Sequence, residues 1–223
     1  MALTRAHDYC PTCGSDRLLW RVPPGDDRER QMCDTCGAIH YHNPRNVAGC
    51  IGEHDGRILL CRRAIEPRRG FWTVPAGFME NGESLVAAAM RETVEEALAV
   101  AEQPELYAVF NLPHIDQVYV LFRAGVRDGA AAAGHESLEV AWFGEGEIPW
   151  DELAFPVVHE GLRLYLADRQ THTFPVHMGD IMRREDGHLV VRHHDGSERG
   201  ARPDWRRGGA AGSQPTRLGQ SGR

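Results

Sequence analysis

The sequence contains no lysine, and its 25 basic residues are all arginines. This bias is more typical of genomic base composition than of a functional requirement, although guanidinium groups suit phosphate recognition. The chain also lacks an apolar run near the roughly 20 residues that cross a bilayer, and it begins without the apolar core of a signal peptide. We therefore expect a soluble cytoplasmic protein with no membrane partner.

Positive charge is scarce in the middle of the chain. Residues 46–170 contain 10 arginines against 20 acidic residues, whereas residues 1–45 contain 6 of each. An acidic segment is a poor partner for nucleic acid, because such binding depends on neutralising many phosphates. We therefore expect no nucleic-acid partner, and bound cations are a better explanation for the concentration of acids.

Composition divides the 223 residues into three parts. Residues 1–45 have few apolar side chains and need a metal or a disulfide to hold them together. Residues 46–182 are long enough for one sizeable core. Residues 183–223 become rich in Gly, Arg, Ser and Pro, which predicts a disordered tail, because such a segment buries too little apolar surface to offset its ordering entropy.

The apolar pattern of residues 46–182 predicts an α/β fold in which a mixed sheet lies between helices. The predicted strands cover residues 46–52, 57–62, 71–74, 106–111, 117–124 and 139–143. One helix is expected from the N-cap Ser84 to about Ala99, and a second over residues 157–169. This order favours a helix, sheet, helix sandwich.

Two Cys-x-x-Cys pairs near the N-terminus predict a metal site. The candidate ligands are Cys10, Cys13, Cys33 and Cys36. The spacing suits four thiolates around a tetrahedral Zn²⁺ ion, and the alternatives are two disulfides or four free thiols. Because this part of the chain has so little core of its own, we expect structural zinc.

Other histidines and cysteines are not needed for that site. His40 and His42 are surplus to four ligands and are expected to be surface or packing residues. Cys50 and Cys61 lie in apolar strand patterns, where buried and unreactive cysteines are common, so we expect them in the core.

An unusual concentration of acids occupies one face of the first helix. Glu92, Glu95 and Glu96 stand at positions i, i+3 and i+4, where like charges repel. A divalent cation such as Mg²⁺ or Mn²⁺ would reverse that repulsion, and it would keep coordination positions for water and phosphate oxygens. The alternative is a solvated surface helix, since Arg91 and Glu95 form an ordinary i, i+4 ion pair.

The extended pattern is more specific than the helix alone. Residues 77–99, GFMENGESLVAAAMRETVEEALA, resemble the Nudix box, G-x5-E-x7-R-E-U-x-E-E-x-G-U, where U is a bulky apolar residue. The matching positions are Gly77, Glu83, Arg91, Glu92, Glu95 and Glu96. Thr93 stands where the family prefers an apolar residue, and Leu98 replaces its glycine. Neither change removes a charged group.

The resemblance implies catalytic roles for these side chains. Glu92 and Glu96 would be the principal ligands of Mg²⁺ and Glu95 an additional one. Glu83 would be a helper or a candidate base, and Arg91 would orient the glutamates by ion pairing.

Further site residues are expected outside the box. Family members often add an acid from a loop before a late strand; Glu136 and Glu139 are the candidates here, and Glu139 is preferred. Arg62 or Arg63 is expected to bind the substrate diphosphate, because an arginine fork matches phosphate oxygens. Three more residues could stack on a base, although aromatics in strands more often belong to the core: Tyr107, Phe110 and His114.

The cysteine pairs together with the segments CRRAIEPRRGFWTVPAGFMENGE and NLPHIDQVYVLF resemble the zinc-ribbon-containing branch of the Nudix superfamily. This resemblance implies hydrolysis of ADP-ribose, FAD or a related dinucleotide to AMP and a phosphorylated product. NADH ranks lower, because the S-Q-P-W-P-F-P-x-S array of NADH diphosphatases is absent from the sequence. A small-molecule nucleotide is thus the expected partner, and a homodimer is left open.

Two alternatives remain. One is a pyrophosphohydrolase that removes diphosphate from a modified nucleoside triphosphate. The other is a ligand-sensing or nucleic-acid-binding regulator that keeps the fold without catalysis. The complete set of glutamates and the balanced charge of residues 1–45 argue against the regulator.

Overall fold

A computed structural model describes residues 7–200 of the chain. The strands are β1 (Leu18–Arg21), β2 (Arg30–Cys33), β3 (Ile39–His40), β4 (Arg45–His54), β5 (Arg57–Arg63), β6 (Trp72–Thr73), β7 (Ala76–Phe78), β8 (Ala101–Leu112), β9 (Gln117–Val126), β10 (Ser137–Phe143), β11 (His177–Arg183), β12 (Leu189–His193) and β13 (Glu198–Gly200). The helices are α1 (Leu85–Ala97) and α2 (Pro156–Thr171). Within residues 7–200, neither helix has the length and apolarity required to cross a membrane.

The first three strands form a small antiparallel sheet in the order β1-β2-β3. Its cysteines are carried by two tight turns, in which the backbone N–H of Gly14 bonds to the carbonyl of Cys10 and that of Gly37 to the carbonyl of Cys33. Both glycines have a φ near +75°, a conformation that side chains disfavour. The two turns therefore present their thiols in the same way.

The remaining strands build one mixed sheet. Its order is β10-β5-β4-β9-β8-β11-β12-β13, with β6 beside β5 and β7 beside β4. β4 and β9 are parallel, as are β8 and β11, while the other pairs are antiparallel. The helices cover opposite faces, which confirms the predicted sandwich.

Alternation along the strands separates the two faces. Ala48 and Cys50 of β4 pack against Ala88 and Ala89 of α1, with small side chains that let the helix approach closely. Ile51, the next residue, points to the other face and joins the main core under α2. The α2 side of that core comprises Val157, Val158, Leu162, Tyr165 and Leu166. Cys50 and Cys61 are both buried, as expected.

The strands β4 and β5 separate soon after their turn. They pair only at Glu53–Ile58 and His54–Arg57, and β6 and β7 occupy the opening between them. The sequence predicted a strand over residues 71–74 and a loop from Ala76, but Ala76–Phe78 pairs with β4. Gly49 permits this pairing, because a Cβ there would lie 2.4 Å from that of Ala76. The backbone at the start of the acidic segment is therefore held in a sheet.

Helix α1 begins as predicted, since the side chain of Ser84 accepts a hydrogen bond from the backbone N–H of Ala87. It ends at Ala97, because Leu98 adopts a left-handed conformation with φ +45° and caps the helix. The hydroxyl of Thr93 is buried and donates to the carbonyl of Ala89. A polar side chain is thus accommodated where the motif prefers an apolar one.

The prediction of disorder from residue 183 is wrong for the segment that contains β12 and β13. Leu189, Val190 and Val191 are buried, so β12 brings its own apolar surface to the edge of the sheet. Nε2 of His193 also lies within hydrogen-bonding distance, 2.8 Å, of the buried carboxylate of Glu160 in α2. The rest of the predicted tail, residues 201–223, lies outside the described residues, as do residues 1–6.

Candidate functional site

The four predicted zinc ligands come together. Their Sγ atoms all lie within 4.8 Å of one another, with 3.7 Å between Cys10 and Cys36 and 3.6 Å between Cys13 and Cys33. A tetrahedral ion with Zn–S bonds of about 2.3 Å would place its sulfurs about 3.8 Å apart. The spacing fits Zn²⁺ and is far too long for a disulfide bond of about 2 Å.

The surroundings of Cys33 favour its thiolate form, whereas the pKa of Cys13 is raised. The backbone N–H of Cys36, and then that of Thr35, lowers the pKa of Cys33 to about 6. Nε2 of His40 lies 3.5 Å from Sγ of Cys10, within hydrogen-bonding distance of a sulfur. His40, which the sequence analysis assigned to the surface or to packing, therefore touches a ligand of the expected ion.

Arg91 is the centre of the acidic segment. It donates to both carboxylate oxygens of Glu83, at 3.1 and 2.8 Å, and its Nη1 donates to Glu92 at 2.7 Å and to Glu95 at 2.9 Å. It also bonds to the carbonyl of Phe78. This network holds three carboxylates in place, and it lowers the pKa of Glu83 through the hydrogen bonds from Arg91.

Glu92 and Glu96 lie beneath the surface against the backbone of β7. Glu92 is 8% exposed, and its carboxylate packs on Gly77, where a Cβ would come within 2.2 Å of Oε1. Glu96 is 5% exposed and accepts a hydrogen bond of 3.2 Å from the backbone N–H of Ala76. The two acidic side chains are thus buried where β7 has only the small residues Ala76 and Gly77.

Burial disfavours the ionised form of both carboxyl groups. Burial raises the pKa of Glu96 to about 8, and the negative charge of Glu92 adds to the effect. Burial also raises the pKa of Glu92 although Arg91 opposes the rise. Buried acids of this kind release their protons when a cation binds nearby. The donor set is made of carboxylate oxygens, which suits Mg²⁺ or Mn²⁺.

The carboxylates do not converge as closely as the thiols do. Among residues 7–200, the cysteine cluster is the only group of three or more candidate ligand atoms that all lie within 4.8 Å of one another. Glu95 is more exposed than its neighbours, with 57% of its side chain accessible, and Arg91 holds it at the rim. Glu92 and Glu96 therefore form the inner part of the candidate site, and Glu95 the outer part.

The acid that reaches this pair from the segment before β10 is Glu136. Its negative charge contributes to the raised pKa of both Glu92 and Glu96. Glu139 instead lies 3.5 Å from Arg62 in an exposed ion pair. The two acids named from the sequence thus differ in their surroundings, and the preference for Glu139 stays a prediction.

The two candidate arginines differ in accessibility. Arg63 is only 8% exposed; its Nε donates to the carbonyl of Pro67, and its guanidinium lies over the ring of Phe155. Its positive charge opposes the rise in the pKa of Glu96. Arg62 keeps 42% of its side chain exposed, so it is the one of the two that a substrate could reach.

The aromatic candidates for base stacking are mostly unavailable. Tyr107 and Phe110 are fully buried in the core, and His114 bonds to the carbonyl of Ile181. Phe78 is instead 45% exposed, and the guanidinium of Arg45 lies 4.5 Å from its ring centroid. It lines a cavity of about 360 Å³ bounded by residues 44–46 and 78–82. Phe78 was missed because burial cannot be judged from its place in the motif.

The chain belongs to the Nudix hydrolase family. It matches the NUDIX domain over residues 42–163, more than half of its length, and the Nudix N-terminal zinc ribbon over residues 8–42. A crystal structure of a NUDIX hydrolase from Nitrosomonas europaea is 51% identical to it, with a TM-score of 0.76, and covers 78% of this chain and 99% of its own.

Characterised relatives are more distant. The ADP-ribose pyrophosphatase of Methanocaldococcus jannaschii is 31% identical over 119 residues, which are 52% of this chain and 69% of that protein. The NAD-capped RNA hydrolase NudC of Vibrio parahaemolyticus is 28% identical over 151 residues, which are 66% of this chain. The chain spans only 55% of that NudC protein.

Proposed function

We propose that this hydrolase cleaves the diphosphate bond of a nucleoside diphosphate derivative, such as ADP-ribose, FAD or a related dinucleotide. The products are AMP and a phosphorylated second moiety. The observation that carries the proposal is the buried pair of Glu92 and Glu96 against the backbone of β7, where burial raises the pKa of both carboxyl groups. Such a pair is unfavourable in a purely structural role, because burying two like charges is costly.

Glu92 and Glu96, with Glu95 at the rim, would hold Mg²⁺ or Mn²⁺. The ion supplies neutralisation of the diphosphate charge and acidifies a water for attack on phosphorus. Arg91 orients the carboxylates of Glu92 and Glu95 through its hydrogen bonds, and the backbone N–H of Ala76 holds that of Glu96. Glu136 is the candidate to accept the proton of the attacking water, since its charge reaches both buried glutamates. Glu83, which is held by hydrogen bonds from Arg91, is the second candidate for that role.

Substrate recognition is proposed at two places. Phe78 offers an exposed ring beside the motif, and stacking on an aromatic ring suits a nucleobase or an isoalloxazine. Arg62 offers an accessible guanidinium for a phosphate oxygen. The name of the relative from Methanocaldococcus jannaschii supports ADP-ribose, and that of the NudC protein keeps NAD derivatives among the substrates to test.

The four cysteines would hold structural Zn²⁺, and their 3.6–3.7 Å spacing supports this. Four thiolates would fill the tetrahedral coordination of the ion and leave no open position for a substrate or a catalytic water. A monomer and a homodimer are both compatible with this scheme, and so is a cytoplasmic location.

Product analysis tests the proposal. Purified protein is incubated with ADP-ribose, FAD, NADH and a set of nucleoside triphosphates, with Mg²⁺ or Mn²⁺, and the products are separated by chromatography. AMP from a dinucleotide is the expected result. Release of diphosphate from a triphosphate would favour the alternative of a nucleoside triphosphate pyrophosphohydrolase. The absence of turnover with every substrate would favour a regulator without catalysis.

A matched pair of variants ties the activity to the site. Glu96→Gln keeps the shape of a buried side chain and removes its charge, so turnover should fall by roughly 100-fold or more. Glu145→Gln makes the same change at an exposed residue in the turn after β10 and should leave turnover unchanged. Full activity of Glu96→Gln would contradict the proposal.

A further inference from the structure

The segment from residue 130 to residue 136 is bonded to the end of α1. The backbone N–H of Ala132 donates to the carbonyl of Ala97 at 2.8 Å, and that of Gly134 donates to the carbonyl of Glu96 at 3.0 Å. These carbonyls belong to the last turn of α1, where carbonyl groups have no hydrogen-bond donor within the helix. The segment therefore satisfies the end of the helix that carries the buried glutamates.

Gly134 touches the helix more closely than any side chain would allow. A Cβ at this position would lie 1.7 Å from the carbonyl oxygen of Glu95 and 2.8 Å from its carbonyl carbon. The obstacle is backbone, which cannot rotate away as a side chain can. Its φ lies outside the left-handed region, so glycine is needed here for space and not for conformation.

Glu136 follows two residues later and is held on its other side. Its carbonyl accepts a hydrogen bond of 2.7 Å from the backbone N–H of Ala64, which directly follows β5. The backbone N–H of Ser137 bonds back to the carbonyl of Gly134 at 3.2 Å. The backbone of Glu136 is thus held between the end of α1 and the end of β5, two residues from the contact of Gly134 with the last turn of the helix that carries Glu92 and Glu96.

We propose that Gly134 is a positioning residue for hydrolysis, whose close contact with the last turn of α1 sets the distance between the Glu136 carboxylate and the two buried glutamates. This inference rests on the proposed function. A Cβ at position 134 must push the segment away from α1, and Glu136 moves with it. Displacements near 1 Å can lower turnover by about 100-fold.

The test compares Gly134→Ala with Gly146→Ala, which adds the same methyl group where nothing lies within 4 Å. Gly134→Ala should lower kcat by roughly 10-fold to 100-fold with KM changed less than about threefold, because the displaced carboxylate acts on the chemical step. Gly146→Ala should retain the wild-type values. Equal kinetics of the two variants would overturn the proposal.

A double-mutant cycle separates positioning from general damage to the fold. Glu136→Gln is measured alone and combined with Gly134→Ala. If Gly134 acts through Glu136, the glycine change should cost less than about twofold once the carboxylate is gone. Effects that multiply in full would show that Gly134 acts independently of Glu136, and they would overturn the proposal.

A third variant leaves the contact between Gly134 and α1 unchanged. Glu136→Asp withdraws the carboxylate by one methylene group and should reduce kcat to a similar extent as Gly134→Ala does, even if the latter folds poorly. Wild-type activity of Glu136→Asp would overturn the proposal, because the distance would then not matter. A wild-type protein that makes no AMP overturns the proposed function and this inference together, whereas an active protein with any of the contrary results overturns this inference alone.

Discussion

The carboxylate of Glu92 packs directly on the Cα of Gly77, so that a Cβ on Gly77 would lie 2.2 Å from Oε1 and 2.4 Å from Oε2. Gly77, the first residue of the motif, therefore leaves the space that the carboxylate of Glu92 occupies. The atoms in conflict belong to the end of a flexible side chain, which can move aside without unfolding the protein.

Gly77→Ala should consequently separate activity from stability. We expect kcat to fall by roughly 10-fold to 100-fold, because the displaced Glu92 can no longer take its position, while the melting temperature changes little. Gly125→Ala, where nothing lies within 4 Å of the added methyl group, is the control. Wild-type turnover of Gly77→Ala would show that the position of Glu92 is not critical.

Stability should depend on pH and on magnesium together. Burial raises the pKa of Glu96 to about 8 from an ordinary 4.5. Protonated Glu96 therefore contributes stability that is fully present below the unfolded pKa and is lost as pH rises through the folded value. The ion binds only the ionised carboxylate, so the increase in melting temperature on adding Mg²⁺ should grow from about pH 6 to about pH 9.

Thermal unfolding with and without Mg²⁺ across this pH range measures the effect. Glu96→Gln, which cannot titrate at this position, should show a smaller magnesium effect with less dependence on pH. An equal magnesium shift at both ends of the range in the wild-type protein would contradict the prediction.

The contact between His40 and Cys10 should strengthen zinc binding. An N–H to sulfur hydrogen bond delocalises the charge of the thiolate and holds it in position, and loss of such outer contacts typically weakens metal binding by 10-fold or more. We expect His40→Ala to release zinc to a colorimetric chelator about 10-fold faster. His42→Ala is the control, since its buried Nε2 has no partner among the described residues. Equal release rates for the two variants would argue against a role for His40.

The buried contact between His193 and Glu160 should anchor the last strands to α2. Nε2 of His193 lies 2.8 Å from Glu160, and both side chains are less than 10% exposed. Glu160→Gln removes the carboxylate that bonds both to His193 and to the guanidinium of Arg163, and losses of about 1–3 kcal/mol are typical when buried polar groups lose a partner. Chemical denaturation measures this loss. Glu198→Gln, in an exposed pair with Arg192, should leave the midpoint nearly unchanged.

Features that depend on residue type and local spacing could be predicted from the sequence. The four thiols needed only two tight turns facing each other, and the glutamates needed only one helical face. The N-cap Ser84 is equally local, because its side chain bonds to a backbone group three residues away. The sandwich followed from the order of strands and helices along the chain, which is also a local property.

Features that depend on distant pairing could not be predicted. The register of β10 on β5 shifts between Ser137 and Glu139, and such an irregularity cannot be read from the alternation of residues along one strand. Arg63 is buried because Phe155, far along the chain, covers it. The strands β12 and β13 were hidden by a polar and glycine-rich composition, since the burial of Val190 and Val191 depends on partners from β11.

The opening between β4 and β5 has a consequence for how this chain can change in length. Trp72 and Thr73 are in register with β5 and Ala76–Phe78 with β4, and only two residues join these strands, so an inserted or deleted residue would move Ala76 away from Glu96. From Met79 to Gly82 the backbone leaves the sheet, but the backbone N–H of Glu80 bonds to Glu83, and Arg91 bonds both to Glu83 and to the carbonyl of Phe78, so the length of this turn is fixed as well. Related chains should therefore keep the length of residues 72–97 constant and vary in length outside them.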